Sequence, residues 1–127
     1  MKQKYFICEI CGNMMAEVKA SGVAVKCCGR QMTEIVTGTV DASREKHVPV
    51  YEVQGNTVTV RDGSVEHPMQ PEHFIELISI ETLEGNQRKA LKPGAPAVAT
   101  FALAEGAKLV RAYAYCNLHG LWVSAEE

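Results

Sequence analysis

From residue 48 onwards the chain consists of short runs of alternating apolar and polar residues, separated by turns rich in glycine and proline. Residues 48–53 and 57–60 flank the turn Gln54-Gly55-Asn56, which predicts a β-hairpin. Further strands are predicted at 74–82, 97–103 and 108–115. The alanines of the last two runs are good helix formers, but the alternation and the regular turn spacing favour strands. The pattern therefore predicts an antiparallel β-sandwich.

The first 37 residues differ from the rest in size, charge and composition. Short strands are predicted at 5–7, 16–18 and 23–25, and a segment this small needs a metal, disulfides or a partner to fold. This segment has five basic and three acidic residues, against eight and twelve in the remainder. Four of the five cysteines lie in it, and all four histidines lie outside it. We therefore predict two domains, 1–37 and 38–127.

Composition excludes several classes of protein. Hydrophobic residues make up 46% and charged residues 22%, as in globular proteins, and no apolar run reaches the ~20 residues that span a bilayer. No apolar segment typical of a secretory signal follows the N-terminal lysines, so a cytoplasmic location is expected. A net charge of −2 and 6% aromatic residues argue against a nucleic-acid partner.

Four cysteines have the spacing of a metal site. Five cysteines in the whole chain cannot all pair, and in a reducing compartment cysteines are more often metal ligands than disulfides. Cys8 and Cys11 form a C-x-x-C turn relieved by Gly12, and Cys27 and Cys28 follow as an adjacent pair. Four thiolates suit zinc or iron, and the spacing does not distinguish them. Adjacent side chains point apart, so we expect the pair to distort a tetrahedral site.

The remaining candidates are His47, His67, His73, Cys116 and His119. Alone, each has an ordinary explanation as a surface or core residue. Their local setting favours a site, because two histidines share a proline-restricted loop and Cys116 and His119 share a turn after a strand. A blue-copper site would need a methionine after the second histidine and would leave two histidines unused. One metal with four imidazoles and one thiolate uses all five and leaves a sixth octahedral position for a small ligand.

These motifs resemble the desulfoferrodoxin family, the two-iron form of superoxide reductase. The N-terminal part is similar to the desulforedoxin module in Cys8-Glu9-Ile10-Cys11-Gly12-Asn13 and Cys27-Cys28-Gly29. The second part is similar to the catalytic domain in three segments, Glu45-Lys46-His47-Val48-Pro49-Val50, His67-Pro68-Met69 with Glu72-His73, and Cys116-Asn117-Leu118-His119-Gly120-Leu121-Trp122. One departure is Leu77, where relatives often have tryptophan. The resemblance covers essentially the whole chain.

The resemblance implies an all-β protein, with a small metal-stapled domain followed by an immunoglobulin-like sandwich, and usually a homodimer. It implies two irons per chain. One would be bound by Cys8, Cys11, Cys27 and Cys28, and the other by equatorial His47, His67, His73 and His119 with axial Cys116. The implied activity is one-electron reduction of superoxide to hydrogen peroxide, with rubredoxin or a similar carrier as donor. Backbone N–H groups of the Cys116–His119 turn are expected to reach the sulfur.

The resemblance also implies roles for two charged residues next to His47. Glu45 would occupy the sixth position in the oxidised state, and Lys46 would attract superoxide and help deliver protons. Without the resemblance, the two are an ordinary solvated charge pair. The alternative function is a non-enzymatic iron electron carrier.

Overall fold

The structure, a computed structural model, describes residues 3–38 and 44–124, with Arg44 and Glu45 described by their backbone alone. The chain divides into two compact units, Met1–Val36 and Thr37–Glu127. Within the described ranges there is no helix long and apolar enough to cross a membrane. The described elements are strands apart from one helical turn, so the predicted all-β class is confirmed.

The first unit contains five short strands: β1 Lys4–Ile7, β2 Met14–Glu17, β3 Lys26–Cys27, β4 Arg30–Gln31 and β5 Thr33–Glu34. They form a three-stranded sheet in the order β2-β1-β5 and the separate hairpin β3-β4. Its buried hydrophobic residues are Tyr5, Cys8 and Met32. Three side chains are a very small core, which agrees with the expectation that this segment needs a metal to fold.

The predicted strand at 23–25 is wrong. Val23 is 79% exposed, and the strand begins only at Lys26, which pairs with Gln31. Cys27 then pairs with Arg30 across a two-residue turn at Cys28 and Gly29, both of which have positive φ. The turn fixes where the strands can pair, and residues 23–25 upstream of it are all exposed.

The second unit begins, in its described part, with the helical turn α1, Arg44–His47, which the sequence pattern did not predict. Seven strands follow: β6 Pro49–Gln54, β7 Thr57–Asp62, β8 Ile75–Thr82, β9 Asn86–Ala90, β10 Val98–Ala102, β11 Leu109–Cys116 and β12 Gly120–Val123. They form two sheets, β10-β7-β6 and β12-β11-β8-β9, and all recorded neighbours are antiparallel.

The core lies between these two sheets. Inward residues of β7 and β10, such as Val58, Val60 and Phe101, pack with inward residues of β8 and β11, such as Ile78 and Ala112. Each of these side chains is at most 1% exposed. The predicted sandwich is therefore confirmed, as are the strands over both alanine-rich runs. Strand β9 was not predicted, because all five of its residues are exposed and polar or small and give no apolar alternation.

Strand register brings several connections to one end of the sandwich. Pro49 at the start of β6 pairs with Asp62 at the end of β7. Cys116 at the end of β11 pairs with Ile75 at the start of β8 and with Gly120 at the start of β12. The helical turn before β6, the loop between β7 and β8, and the turn between β11 and β12 therefore meet at this end. The four predicted histidine ligands of the second unit lie in these three connections, and the predicted ligand Cys116 is the last residue of β11 at the same end.

Candidate metal centres

The structure brings the four cysteines of the first unit together. The sulfur atoms of Cys8, Cys11, Cys27 and Cys28 all lie within 4.8 Å of one another. The Sγ atoms of Cys11 and Cys27 are 3.6 Å apart and those of Cys27 and Cys28 are 4.0 Å apart. Sulfurs bound about 2.3 Å from the centre of a tetrahedron are ~3.8 Å apart. These spacings therefore fit a four-thiolate metal site.

Two tight turns build this group. In the first, Gly12 donates its N–H to the carbonyl of Cys8 at 2.8 Å and has a φ of 84°. In the second, Cys28 has a φ of 55° and is the single non-glycine residue with positive φ in the described ranges. The left-handed backbone of Cys28 turns its side chain to the same side as that of Cys27. A φ of 55° is strained for a residue other than glycine. The distorted tetrahedron expected from the adjacent pair stays a prediction.

Because the four thiols of the first unit lie close together, their pKa values differ widely. The backbone N–H of Cys11 lowers the pKa of Cys8 to about 6. Interactions with the sulfurs of Cys11, Cys8 and Cys27 raise the pKa of Cys28 to about 12. Four thiolates this close cannot all be charged without a cation, and all five cysteines of the chain are free of disulfides. The group can hold a metal, and without a cation its four thiols would not all be ionised.

The second group consists of His47, His67, His73, Cys116 and His119, whose ligand atoms also lie within 4.8 Å of one another. The four imidazoles form a closed ring in the order His47, His67, His73, His119. Neighbouring ring centroids are 4.6, 4.8, 5.0 and 4.8 Å apart, and each ring is nearly perpendicular to the next, at 79° to 88°. Each of these histidines therefore points an edge, not a face, towards the middle of the ring.

Nitrogen spacing supports a square of ligands. The Nε2 atom of His47 is 3.0 Å from Nε2 of His67 and 3.0 Å from Nδ1 of His119. Two nitrogens bound ~2.1 Å from a metal at a right angle to each other are ~3.0 Å apart. Nε2 of His73 is buried and has no hydrogen-bond partner in the part of the chain that the structure describes. A metal ion would satisfy that buried nitrogen.

The protonation states of the histidines also suit a metal. Nδ1 of His67 lies 2.7 Å from the carbonyl oxygen of Pro68 and must donate to it, which leaves Nε2 with its lone pair free towards the ring centre. Burial lowers the pKa of His67 to about 4 despite this bond. Burial, followed by the charges of His119 and Lys46, also lowers the pKa of His73. Both imidazoles are therefore neutral near pH 7, as a metal requires.

Cys116 is fully buried, and its Sγ is 3.8 Å from Nδ1 of His119. Burial raises the pKa of its thiol, whereas the backbone N–H groups of Leu118 and His119 lower it. The predicted N–H groups of the turn are therefore present at the sulfur. In this buried place a cation beside the sulfur is what would favour the thiolate.

Trp122 braces the group and was not identified as a site residue from the sequence. Its indole is 3% exposed, stacks on the ring of His47 with centroids 5.2 Å apart, and donates its Nε1–H to the carbonyl of His119 at 3.0 Å. A buried tryptophan needs a partner for its N–H, and its position three residues after His119 was the available signal.

Of the two charged residues beside His47, the structure describes the side chain of Lys46 but not that of Glu45. Lys46 is exposed, and its charge is close enough to His73 to contribute to the lowered pKa of that imidazole. The side chain of Glu45 lies outside the described residues. Its predicted role stays a prediction.

Comparisons with known proteins agree with this geometry. Residues 39–125 match the model of the desulfoferrodoxin family. A desulfoferrodoxin homolog of Archaeoglobus fulgidus is 44% identical over 117 residues, which cover 92% of each chain. A desulfoferrodoxin of Syntrophotalea carbinolica is 42% identical over 123 residues, 97% of this chain and 96% of that one.

A solved structure is similar over nearly the whole chain. The crystal structure of the superoxide reductase from Treponema pallidum superposes with a TM-score of 0.84 at 37% sequence identity, covering 98% of this chain and 100% of that one. Family model, sequence relatives and structure thus agree with the resemblance in the motifs. The chain belongs to the desulfoferrodoxin family.

Proposed function

We propose that this protein is a superoxide reductase that converts superoxide to hydrogen peroxide at the four-histidine, one-cysteine group. The observation that carries the proposal is the square of imidazole nitrogens with a buried thiol beside it. The balanced reaction takes one superoxide anion, one electron and two protons to one hydrogen peroxide. The T. pallidum neighbour, which is named for this activity, supports it.

The donor set fits iron. Imidazole and thiolate are ligands that iron accepts, and neither carboxylate-rich nor all-oxygen chemistry is present among the five donors. His47, His67, His73, His119 and Cys116 would hold this ion, and Cys8, Cys11, Cys27 and Cys28 would hold a second one. When bound at the four-histidine, one-cysteine group, ferrous iron would supply the electron that superoxide receives.

The chain's own residues would control that chemistry in three ways. The N–H groups of Leu118 and His119 moderate the electron donation of the Cys116 sulfur. The exposed ammonium of Lys46 attracts the anionic substrate to a protein whose net charge is −2, and it is a source of protons near the site. Glu45 would act as a hard carboxylate donor in the oxidised protein and withdraw on reduction.

The remaining features of the proposal concern the rest of the chain. We propose 1–37 and 38–127 as its domains, with a desulforedoxin-like first domain. A small carrier such as rubredoxin would return the electron, and the protein would be a homodimer. A cytoplasmic location suits five free thiols, since a reducing compartment keeps them available to metals.

A stoichiometry experiment tests the activity. The metal-loaded, reduced protein is mixed with superoxide, and peroxide, dioxygen and protein oxidation are measured together. We expect one peroxide and one oxidised histidine-site metal per superoxide, with no dioxygen released. Release of one dioxygen for every two superoxide anions would indicate dismutation. Equal rates of oxidation by superoxide and by dioxygen would favour the non-enzymatic electron carrier.

A further inference from the structure

Asn117 lies between Cys116 and His119, and its side chain crosses to the loop that carries His73. Its Oδ1 accepts the backbone N–H of Phe74 at 3.0 Å, and its Nδ2 donates to the carbonyl of Glu72 at 3.0 Å. Its backbone N–H donates to the carbonyl of Phe74 at 3.2 Å. One residue of the β11–β12 turn therefore holds both neighbours of His73.

The backbone of His73 itself is held from within its own loop. The N–H of His73 donates to the carbonyl of Gln70 at 3.0 Å, and its carbonyl accepts the N–H of Gln70 at 2.9 Å. These two bonds shape the loop but do not connect it to another part of the site. Three hydrogen bonds of Asn117 join residues 72–74 to the turn carrying Cys116 and His119.

This connection bears on the ring of imidazoles. His73 closes the ring between His67 and His119. Its Nε2 has no protein partner in the described ranges, so no side-chain hydrogen bond at that nitrogen fixes the ring against its neighbours. The position of His73 then depends on its backbone, and through it on Asn117.

We propose that Asn117 is a positioning residue that holds His73 at the fourth corner of the imidazole square while binding no metal itself. The inference rests on the proposed function, because it takes the five donors to be metal ligands. It adds to that function a residue that sets the strength and geometry of the His73 bond. A purely structural Asn117 would affect thermal stability and leave metal retention and the ligand field unchanged.

Two substitutions separate these alternatives. Asn117→Ala removes both side-chain bonds. Asn117→Asp is nearly isosteric and keeps an acceptor for the Phe74 N–H, but it turns an oxygen towards the Glu72 carbonyl in place of the donor. Asn56→Asp is the matched control, because it makes the same change at an exposed residue of the β6–β7 turn, at the other end of these strands from the site.

Metal retention is the principal measurement. Full-length wild type and variants are loaded with iron, a chelator is added, and loss from each centre is followed by its own absorption. Changes to residues that orient ligands typically cost 10- to 100-fold in affinity, so we expect about 10- to 100-fold faster loss from the histidine group of both Asn117 variants. The four-cysteine group in the same molecule should release its metal at the wild-type rate.

Two further readouts do not depend on activity. The electron paramagnetic resonance spectrum of the oxidised histidine-site metal should change in both variants, because His73 would move relative to the other ligands. Hydrogen exchange at the Phe74 amide should accelerate in Asn117→Ala even without metal, since its acceptor is gone. Asn56→Asp should match wild type in every measurement.

Wild-type retention and an unchanged spectrum in both variants would overturn the positioning role and leave the proposed function intact. If the wild-type histidine group held no metal, both would be wrong. If Asn117→Ala does not fold, Asn117→Asp, which keeps the acceptor, decides the question by the same comparison.

Discussion

The four thiols of the first unit come from two short turns in a unit whose small core consists of Tyr5, Met32 and Cys8 itself. The five donors of the second unit come from the end of β11 and from three connections at one end of a packed sandwich. Cys11 and Cys28 are exposed, but His47, His67 and Cys116 are each at most 2% exposed. Partial exposure of the first group, in which only Cys8 is buried, suits a centre whose metal organises the surrounding peptide. Burial of the second suits a centre that the fold assembles in advance.

The difference predicts opposite roles for the metal. In a unit with few buried side chains, the free energy of metal binding is a large part of the free energy of folding. In the sandwich, inward side chains of both sheets supply that free energy. Loss of a ligand from the four-cysteine centre should therefore unfold the first unit. Loss of a ligand from the histidine–cysteine centre should change the reaction with superoxide and leave the sandwich folded.

The largest expected effect is that of Cys28→Ser on the first unit. Removing one of four thiolates should abolish the four-sulfur absorption and cost much of a binding free energy that is on the order of 10 kcal/mol in structural sites. Residues 1–36 should then lose protection from hydrogen exchange. Hydrogen exchange with mass spectrometry measures this for each unit separately.

Superoxide reduction should persist in Cys28→Ser, because the histidine group contains no residue of the first unit. A folded Cys28→Ser protein that had lost this activity would contradict the assignment of catalysis to residues 37–127. Lys19→Ala, an exposed change in the same unit, is the control for nonspecific loss of stability.

The second prediction concerns Cys116→Ser, which should leave the sandwich folded and change its chemistry. Serine is a harder and weaker donor than a thiolate, so the sulfur-to-metal absorption should disappear. The rate with superoxide should fall by at least about 10³-fold, more than the 10- to 100-fold typical of residues around a ligand. Absorption and stopped-flow rates measure both, and a wild-type band in the variant would rule out Cys116 as a ligand.

Sequence alone was enough to predict the members of both groups, for different reasons. Cys8 and Cys11 belong to one turn and Cys27 and Cys28 to another, so local spacing carries the information. His47 and His119 are 72 residues apart, and the 3.0 Å separation of their ring nitrogens depends on the registers of five strands. Their grouping could be proposed only because every remaining ligand fitted one site and because the motifs resembled a family.

The features that sequence did not predict depend on contacts between distant segments. Three of these features leave no periodic signal in the sequence. They are the positive φ of Cys28, the stacking of Trp122 on His47, and the hydrogen bonds of Asn117 to the loop of His73. Strand β9 has no buried face and was missed for the same reason. Asp62 is a further case, since it continues the inward stripe of Val58 and Val60, where an apolar residue would be expected.

The third prediction uses this buried carboxyl. Asp62 is 2% exposed, and neither carboxyl oxygen has a hydrogen-bond partner in the described part of the chain. Burial raises its pKa from 3.8 to about 8. Because the folded state then favours the proton, stability from this group is fully present below about pH 4 and is lost as the pH rises towards 8.

We therefore expect Asp62→Asn to remove this decline. Between pH 5 and pH 7 the wild type should lose on the order of 3 kcal/mol relative to the variant, at about 1.4 kcal/mol per pH unit. Denaturant unfolding at several pH values, followed by the fluorescence of Trp122, measures it. Glu52→Gln, at an exposed position on β6, should keep the wild-type slope. An identical slope in Asp62→Asn would mean that Asp62 is charged and compensated in the folded protein.

The smallest expected effect concerns an exposed charge beside the histidine group. Lys46 is exposed and electrostatically coupled to His73, so Lys46→Ala should slow the encounter with superoxide roughly three- to tenfold at low salt and flatten the dependence of the rate on ionic strength. Lys108→Ala removes the same charge next to Leu109, which pairs with Thr82 at the other end of β8 and β11, and should leave rate and slope unchanged. Pulse radiolysis across a salt series compares the two. If the rate depended on ionic strength equally in both variants, the attraction of superoxide would come from the metal centre and not from Lys46. The chemistry of the histidine group would then be independent of this surface charge.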